Sequence, residues 1–316
     1  MSGGRVVAWV LCAVITAALC GWIARTARRT GSDAGPWRRA LQRFHGNRAA
    51  VVALWLVVAA CVVALLAPWL VPYSPTATPD IVTLKNLPPS LEHFLGTDFA
   101  SRDVFSRLLY GARVSLSIAT LAIILSATVG TLYGATAGYY GGRVDAVMMR
   151  IIDAALSIPR ILLLITLLVL WGAVPVAALI VVLGFTGWFG VSRLVRAEVL
   201  SLKERDMVVA ARALGARDRE IIFRHILPNV LSPVVVAATL GIANVIIIEA
   251  GLSYLGIGVR PPLASWGNMI QDGVSQIATV WWVSLFPGLA IVATVMAFNI
   301  IGDGLRDALD PRQVDG

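Results

Sequence analysis

Charged side chains are scarce in this chain. They make up 14% of its 316 residues, whereas hydrophobic residues make up 58%, and the mean hydropathy is +0.81. Soluble globular domains carry about 25% charged residues. The composition therefore excludes a soluble domain of ordinary make-up and indicates a protein of the lipid bilayer.

Lysine is the scarcest charged residue, and its scarcity excludes one kind of catalytic site. Only Lys85 and Lys203 occur, each preceded by leucine, so no Gly-Lys-Ser/Thr sequence can cradle the phosphates of ATP. The chain also lacks a Gly-x-Ser-x-Gly turn and a His-Glu-x-x-His pair. We therefore expect that this chain has no ATP-hydrolysis site of its own and is not an enzyme.

Cysteine and histidine are also rare, with three of each. All three cysteines lie in apolar runs without the paired spacing of metal ligands, and the histidines are scattered along the chain. We therefore predict neither a disulfide framework nor a metal site, and no cofactor bound by this chain itself. These residues are Cys12, Cys20, Cys61, His45, His93 and His225.

Long apolar runs are the dominant positive feature. A membrane-spanning helix needs about 20 apolar residues, and seven windows approach that length. They predict an all-α polytopic membrane protein with six core transmembrane helices and an extra N-terminal helix. The windows lie near 6–24, 49–71, 114–138, 152–171, 175–192, 229–249 and 282–302.

The first window, 6–24, has two interpretations. It lacks a small-x-small cleavage site, which disfavours a signal peptide. It is either a real extra helix or the product of a start codon placed too far upstream.

The basic residues predict the orientation of the chain. Seven arginines lie in 25–48 against the single acid Asp33, and eight basic residues lie in 193–224. Because they flank apolar runs, the positive-inside rule explains them better than a nucleic-acid partner does. With 25–48 cytoplasmic, the six core spans alternate so that 193–228 is cytoplasmic as well. The expected location is the bacterial inner membrane.

The connections divide the chain further. We assign 1–48 to an N-terminal extension, 49–71 to a span, 72–112 to an extracytoplasmic loop, 113–303 to the transmembrane core and 304–316 to a cytoplasmic tail. The loop begins with a proline-rich exit from the first core span. Its last part is predicted to form a short interfacial helix, capped by Asp98 or Ser101.

Small residues recur at every fourth position in the window 114–138. A stripe of this kind allows another helix to approach closely. The partner is either a helix of this chain or a second membrane subunit across a shared pathway. The stripe consists of Ala122, Ser126, Gly130, Gly134 and Gly138.

Glu249 is the acid at the end of the window 229–249. It either faces the mouth of a pathway or caps the outer end of its helix with a water-exposed carboxylate.

A charged, helix-forming stretch from Met207 to Asn229 lies between two long apolar runs. Gly215 tolerates a positive φ and is predicted to end one helix, and Pro228 is predicted to stop the next. The cytoplasmic segment 199–228 is therefore a candidate docking device. Its candidate coupling residues are Val209, Ala210, Ala211, Arg212, Gly215, Arg217, His225 and Pro228.

Several blocks in order resemble one family. Ala210, Ala211, Gly215 and Leu227-Pro228 stand at the spacing of the EAA motif of ATP-binding-cassette importer permeases. The chain from about Trp37 to Arg312 resembles the C-type permease subunit of the dipeptide, oligopeptide and nickel importers. The other matching blocks are Gly96–Arg113, Gly138–Pro159, Arg193–Arg196, Glu249–Gly267 and Leu309–Arg312.

The resemblance implies a function. In that family the EAA segment forms coupling helices that sit in a groove of an ATPase subunit. The expected partners are a homologous permease subunit, one or two ATPase subunits that bind ATP and Mg, an extracytoplasmic solute-binding protein and membrane lipid. Peptides are the expected cargo, with nickel, haem or another small solute as alternatives. A stand-alone secondary carrier and a purely structural scaffold are the alternatives from other classes.

Three residues depart from the family pattern. Val209 stands where the motif has glutamate, His225 where it has isoleucine, and Ser101 where the outer block has glycine. Any salt bridge made by the motif's glutamate is therefore absent here.

Overall fold

The computed structural model describes residues 36–172 and 174–309. The helix predicted at 6–24, the arginines before residue 36 and the ending 310–316 lie outside the described residues. The described residues divide into two compact units, one formed by 36–119, 174–176 and 242–309 and the other by 120–172 and 177–241. Each is described separately below.

Within the described ranges the regular secondary structure is helical, apart from an isolated bridge between Thr97 and Asp103. The helices are α1 (Pro36–Gly46), α2 (Arg48–Leu70), α3 (Val104–Tyr140), α4 (Gly142–Leu156), α5 (Arg160–Trp171), α6 (Val176–Leu202), α7 (Asp206–Ala213), α8 (Asp218–Tyr254), α9 (Trp266–Val274) and α10 (Trp282–Leu309). In this described part of the chain, five helices are long and apolar enough to cross a membrane, namely α2, α3, α6, α8 and α10, and α4 with α5 makes a sixth span if that bent pair counts as one.

The span predicted at 152–171 is a pair of helices separated by a bend. α4 ends at Leu156, α5 begins at Arg160, and the two helices differ in direction by 77°. Pro159 immediately precedes α5, and proline has no N–H to continue a helix from α4. α5 has 12 residues, about 18 Å of helix, which is shorter than a hydrocarbon core of about 30 Å.

The separate interfacial helix predicted near the end of 72–112 is wrong. Its residues form the first turns of α3, which runs for 37 residues. No proline interrupts the chain between Val104 and Tyr140, so nothing stops the helix. The cap is Asp103, whose Oδ2 accepts from the backbone N–H of Ser106 at 2.8 Å.

Pro228 does not stop the second helix of the cytoplasmic segment. α8 continues through it to Tyr254, after a π-helical stretch at Ile221–Ile226. In this stretch the Leu227 N–H donates to the Ile222 carbonyl, five residues back. The wider turn accommodates the proline ring. The side chain of Asn229 donates to the His225 carbonyl at 2.6 Å.

In the first unit, α10 packs against α1 and α2. Gly304 allows this approach, because a Cβ built there would lie 2.6 Å from the Cβ of Ala50. The side chain of Asn47 caps α2 by accepting from the Ala50 N–H at 3.1 Å. The capping box of Ser265 and Asn268 starts α9 in the same way.

A buried charge cluster fixes the loop 71–103 to α9 in this unit. Arg107 is only 1% exposed and pairs with both Asp98 and Asp272. Arg102 reaches the same two carboxylates at 2.8 and 3.0 Å. Because each charge has opposite partners, the cluster stabilises this geometry, whereas removal of one member would leave a buried charge unpaired.

Elsewhere in the loop, Asp80 forms an exposed turn. Its carboxylate accepts from the Val82 N–H and the Thr83 hydroxyl, each at 2.9 Å. These hydrogen bonds favour the charged form and lower the pKa of Asp80 below its ordinary value.

In the second unit, one apolar cluster joins the inner half of α3 to α6, α7 and the start of α8. Its members are Ala135, Tyr139, Val195, Val199, Leu202, Val208, Ile221, Ile226, Val230 and Val234. This core holds the segment 199–228 on the ends of the long helices.

Candidate functional site

Gly215 ends α7 as its sequence position predicts. Its φ is +82°, a conformation that glycine adopts without strain. The Gly215 N–H donates to the Arg212 carbonyl at 3.0 Å and the Ala216 N–H to the Ala211 carbonyl at 3.1 Å. This is the Schellman arrangement, which satisfies the last carbonyls of a helix and turns the chain toward α8.

Tyr139 holds both arms of this turn. Its hydroxyl donates to Asp218 Oδ1 at 2.6 Å, at the start of α8. The guanidinium of Arg212, on α7, lies 5.9 Å from the centre of the Tyr139 ring. Since Tyr139 lies in the last turn of α3, it connects that helix to α7 and to the start of α8.

Polar contacts connect neighbouring helices at this end of the second unit. Arg196 of α6 pairs with Asp145 in the first turn of α4. Arg193 donates to Asp153 at 2.5 Å. The Lys203 ammonium donates to the Gly138 carbonyl at 3.4 Å.

The exposed surface of the segment carries both apolar and charged side chains. The exposed fractions of Val209, Leu214 and Phe223 are 52%, 89% and 61%. We call these three residues the apolar face. The same segment exposes five arginines and four acids, at Arg205, Arg212, Arg217, Arg219 and Arg224 and at Glu204, Asp206, Asp218 and Glu220.

The other predicted coupling residues differ in their exposure to solvent. Ala210 and Pro228 are exposed, and His225 is partly buried. Ala211 packs against the apolar core of the unit and not outward, so it differs from the predicted docking face. The reason is its position, three residues after the buried Val208 on the same side of α7.

The small-residue stripe contacts α6 of the same chain. A Cβ at Gly130 would lie 2.8 Å from the Trp188 carbonyl oxygen, and one at Gly134 would lie 2.3 Å from that of Ser192. The stripe thus packs against α6 within the chain. Ser126 is 1% exposed and lies beside Gly187 of α6.

Glu249, in the first unit, is not a water-exposed cap. It is 1% exposed and accepts hydrogen bonds from Ser115 Oγ at 2.9 Å and Ser253 Oγ at 2.7 Å. The Trp266 N–H donates in turn to Ser115 Oγ at 3.3 Å. The carboxylate joins α3, α8 and the start of α9, because α8 extends to Tyr254 and places Glu249 inside the helix.

Among residues 36–172 and 174–309, no three His, Cys, Asp or Glu side chains are grouped so that they could hold a metal ion.

Comparison with known proteins identifies the chain. Residues 130–315 match the family described as "Binding-protein-dependent transport system inner membrane component". Residues 35–89 match the N-terminal transmembrane domain of oligopeptide transport permease C. The chain belongs to this inner-membrane transport family.

Curated relatives of this permease cover most of its length. The dipeptide transport system permease protein DppC of Bacillus subtilis is 42% identical over 86% of this chain and 85% of its own. The oligopeptide transport system permease protein OppC of the same organism is 40% identical over 87% of this chain and 90% of its own. A putative peptide permease protein of Brucella suis is 42% identical over 89% and 93%.

A solved structure supports the fold of the permease. One chain of the MetNI methionine ABC transporter, in an inward-facing conformation, matches with a TM-score of 0.53. The identity is 20%, and the match covers 64% of this permease and 96% of that chain. The predicted family and the all-α polytopic membrane fold are confirmed.

Sequence reasoning missed two functional features of the permease. The first is the anchoring of the turn by Tyr139, whose only sequence signal was the block Gly138–Gly142. The second is the contact of Arg160 with α6, in which its Nη2 donates to the Leu183 carbonyl at 3.2 Å.

Proposed function

We propose that this permease is a subunit of an ATP-driven peptide importer and receives the work of ATP hydrolysis through the segment 199–228. The observation that carries the proposal is the exposed apolar face on a segment whose other side is fixed to the core. Leu214 is 89% exposed, whereas Val208, Ile221 and Ile226 are completely buried.

The composition of this surface supports a protein partner. Buried apolar and arginine side chains are typical of the centre of protein interfaces. The surrounding arginines can donate paired hydrogen bonds to carboxylates of a partner. The positive-inside rule alone accounts for the charge, but it does not account for exposed Leu214 and Phe223 beside it.

The expected partner is an ATPase subunit. The chain has no Gly-Lys-Ser/Thr sequence, so we place ATP and Mg binding in separate subunits. A homologous permease subunit and an extracytoplasmic binding protein complete the proposed complex. Closure of the ATPase subunits would move the turn at Gly215, and Tyr139 would carry that movement to α3.

Peptide is the proposed cargo. The names of the relatives, which include dipeptide and oligopeptide permease proteins, support this class over nickel or haem. Mass spectrometry of the ligand held by the co-purified binding protein tests it directly. Recovery of a metal or haem complex in place of peptide would overturn the proposed cargo.

The docking surface is tested by charge substitution. Leu214→Glu places a carboxylate at the centre of the apolar face, and we expect loss of ATPase co-purification and of ATP-dependent uptake. Leu91→Glu is the matched control, because Leu91 is 93% exposed in the loop 71–103. It should leave both properties unchanged.

Two results would contradict the proposal. One is normal ATPase association of Leu214→Glu. The other is uptake into liposomes by the purified chain alone, driven by an ion gradient, because that result would establish a secondary carrier.

A further inference from the structure

In the second unit, α4 crosses α6 and does not run beside it. Two ion pairs join these helices, one between Asp145 and Arg196 and the other between Asp153 and Arg193. The two carboxylates are eight residues apart, which is about 12 Å along α4, whereas the two arginines are three apart, about 4.5 Å along α6. Since α6 is long and apolar enough to span a bilayer, a helix that crosses it in this way lies close to the membrane plane.

The bend before α5 gives α4 the same direction. α4 and α5 differ in direction by 77°. α5 carries no charged residue after Arg160, and Arg160 donates to the Leu183 carbonyl of α6. A short apolar helix beside a span belongs inside the hydrocarbon core. The change of direction therefore turns α4 out of the core and along its surface.

The level of α4 follows from its neighbours in the chain. It begins at Gly142, two residues after α3 ends at Tyr140. Both of its partners on α6 belong to the basic stretch 193–224, and the positive-inside rule predicts that this stretch is cytoplasmic. α4 therefore lies at the level of the inner headgroups.

The exposed surface of α4 has an apolar side and a basic edge. Val144, Val147 and Ile151 are three and four residues apart, so they share one face, and they are 45%, 61% and 55% exposed. We call these three residues the α4 stripe. Arg143 and Arg150, seven residues apart, are both exposed beside it. Neither arginine forms an ion pair with a residue that the structure describes.

The ion pairs also determine which way these two sides face. Asp145 and Asp153 mark the side of α4 toward α6, and Ile152, close to them around the helix, is completely buried. Along α4 the first carboxylate pairs nearer the end of α6 than the second does. Because both helices are right-handed, this order turns the two arginines toward the predicted cytoplasmic side and the α4 stripe outward and toward the bilayer.

We propose that α4 lies in the inner membrane interface, with the α4 stripe among the acyl chains and Arg143 and Arg150 bound to anionic phospholipid headgroups. An interfacial helix of this kind enters the headgroup boundary by about 5–10 Å, and guanidinium groups bind phosphate through paired hydrogen bonds. Lipid is the occupant because the α4 stripe continues the exposed apolar surface of the flanking helices, such as Leu132 of α3 and Leu162 of α5, each 55% exposed. A covering protein subunit is the other outcome of the test.

The test places a fluorescent label on α4 in liposomes. Val147→Cys is made in the full-length chain after its native cysteines have been replaced by alanine, and the new thiol is labelled with bimane. Iodide quenches a label in water, whereas a nitroxide on the acyl chain of phosphatidylcholine quenches a label in lipid. We expect strong quenching by the nitroxide lipid and little by iodide. Ile151→Cys repeats the test if the first variant does not fold.

Val209→Cys is the matched control. Val209 is 52% exposed, but it belongs to α7, outside the spans. In the chain without ATPase subunits, iodide should quench a label at this position and the nitroxide lipid should not. Equal quenching by the nitroxide lipid at positions 147 and 209 would show that the label itself enters the membrane, and the interfacial position of α4 would be refuted. Strong iodide quenching at position 147 would refute it as well.

The two arginines are tested by the choice of headgroup. Nitroxide-labelled phosphatidylglycerol should quench the label at position 147 about fivefold more than the phosphatidylcholine form at the same mole fraction. Arg143→Gln combined with Arg150→Gln should bring this ratio near one. Arg219→Gln, at an exposed arginine of the segment 199–228, should leave the ratio unchanged. A ratio near one without these substitutions would refute the binding of anionic headgroups.

Assembly separates lipid from a protein partner. The same label at position 147 is measured after a second permease subunit and the ATPase subunits have been added. Quenching by the nitroxide lipid should persist at its earlier strength. If assembly protects the label from both the nitroxide lipid and iodide, a protein subunit covers the α4 stripe and the assignment to lipid is overturned.

Discussion

The close contact between α3 and α6 makes a sharp prediction for Gly134. A Cβ at this position would lie 2.3 Å from the Ser192 carbonyl oxygen and 2.9 Å from the Cβ of Val195. The first neighbour is backbone and cannot rotate away. The two helices would have to separate by about 1 Å to restore ordinary contact.

The expected cost follows from this geometry. Overpacking of a close contact typically costs about 1–3 kcal/mol, and the separation would also loosen the apolar cluster that holds the cytoplasmic segment. Gly134→Ala should therefore lower the melting temperature of the purified chain in detergent. Uptake by the assembled complex should fall with it.

Gly190→Ala is the matched control on α6. Nothing lies within 4 Å of a Cβ built there, and alanine is favoured over glycine in a helix by about 1 kcal/mol. The control should melt at the wild-type temperature or higher. Equal melting temperatures for Gly134→Ala and Gly190→Ala would refute the claim that the stripe is packed within the chain.

Three further predictions concern single side chains. Gly215→Val should impair ATPase-coupled uptake, because its φ of +82° is strained for a β-branched residue, whereas Gly215→Asn should retain uptake, since asparagine tolerates this region. Tyr139→Phe removes the hydrogen bond to the start of α8 and should destabilise the segment by about 1 kcal/mol. The amide hydrogens of α7 should therefore exchange faster than in the wild type. Tyr140→Phe, at a residue 57% exposed, is the control and should leave the exchange rates unchanged. Glu249→Gln keeps the side-chain volume but replaces one hydrogen-bond acceptor by a donor, so the melting temperature should fall. Adding Ser115→Ala to the same chain should restore part of the lost melting temperature. If the two substitutions lower the melting temperature additively, the direct contact between Ser115 and Glu249 is contradicted.

The sequence predicted the transport segments well, because the relevant physics is local. The positions of the long apolar helices depend on about 20 consecutive residues each. The turn at Gly215 was predictable, since only glycine adopts its conformation without strain.

Predictions from the local sequence were wrong where a neighbouring structural feature changed how a helix ends. Pro228 is an ordinary helix-stopping signal, but the π-helical stretch before it allowed α8 to continue. The interfacial helix was predicted as a separate element, although nothing in the sequence ends α3 before Tyr140. Pro159, by contrast, interrupts the helix within an apolar window that hydropathy alone predicted as one span.

By itself the sequence determined the helical membrane class, the five long apolar helices and the family, because apolar length and motif spacing are properties of the chain in order. Only the tertiary structure decided the burial of Glu249, the anchoring by Tyr139 and the contact of Arg160 with α6. These depend on contacts between residues far apart, such as the 134 positions between Ser115 and Glu249 and the 79 between Tyr139 and Asp218. No local pattern encodes such pairs, since the packing of whole helices brings them together.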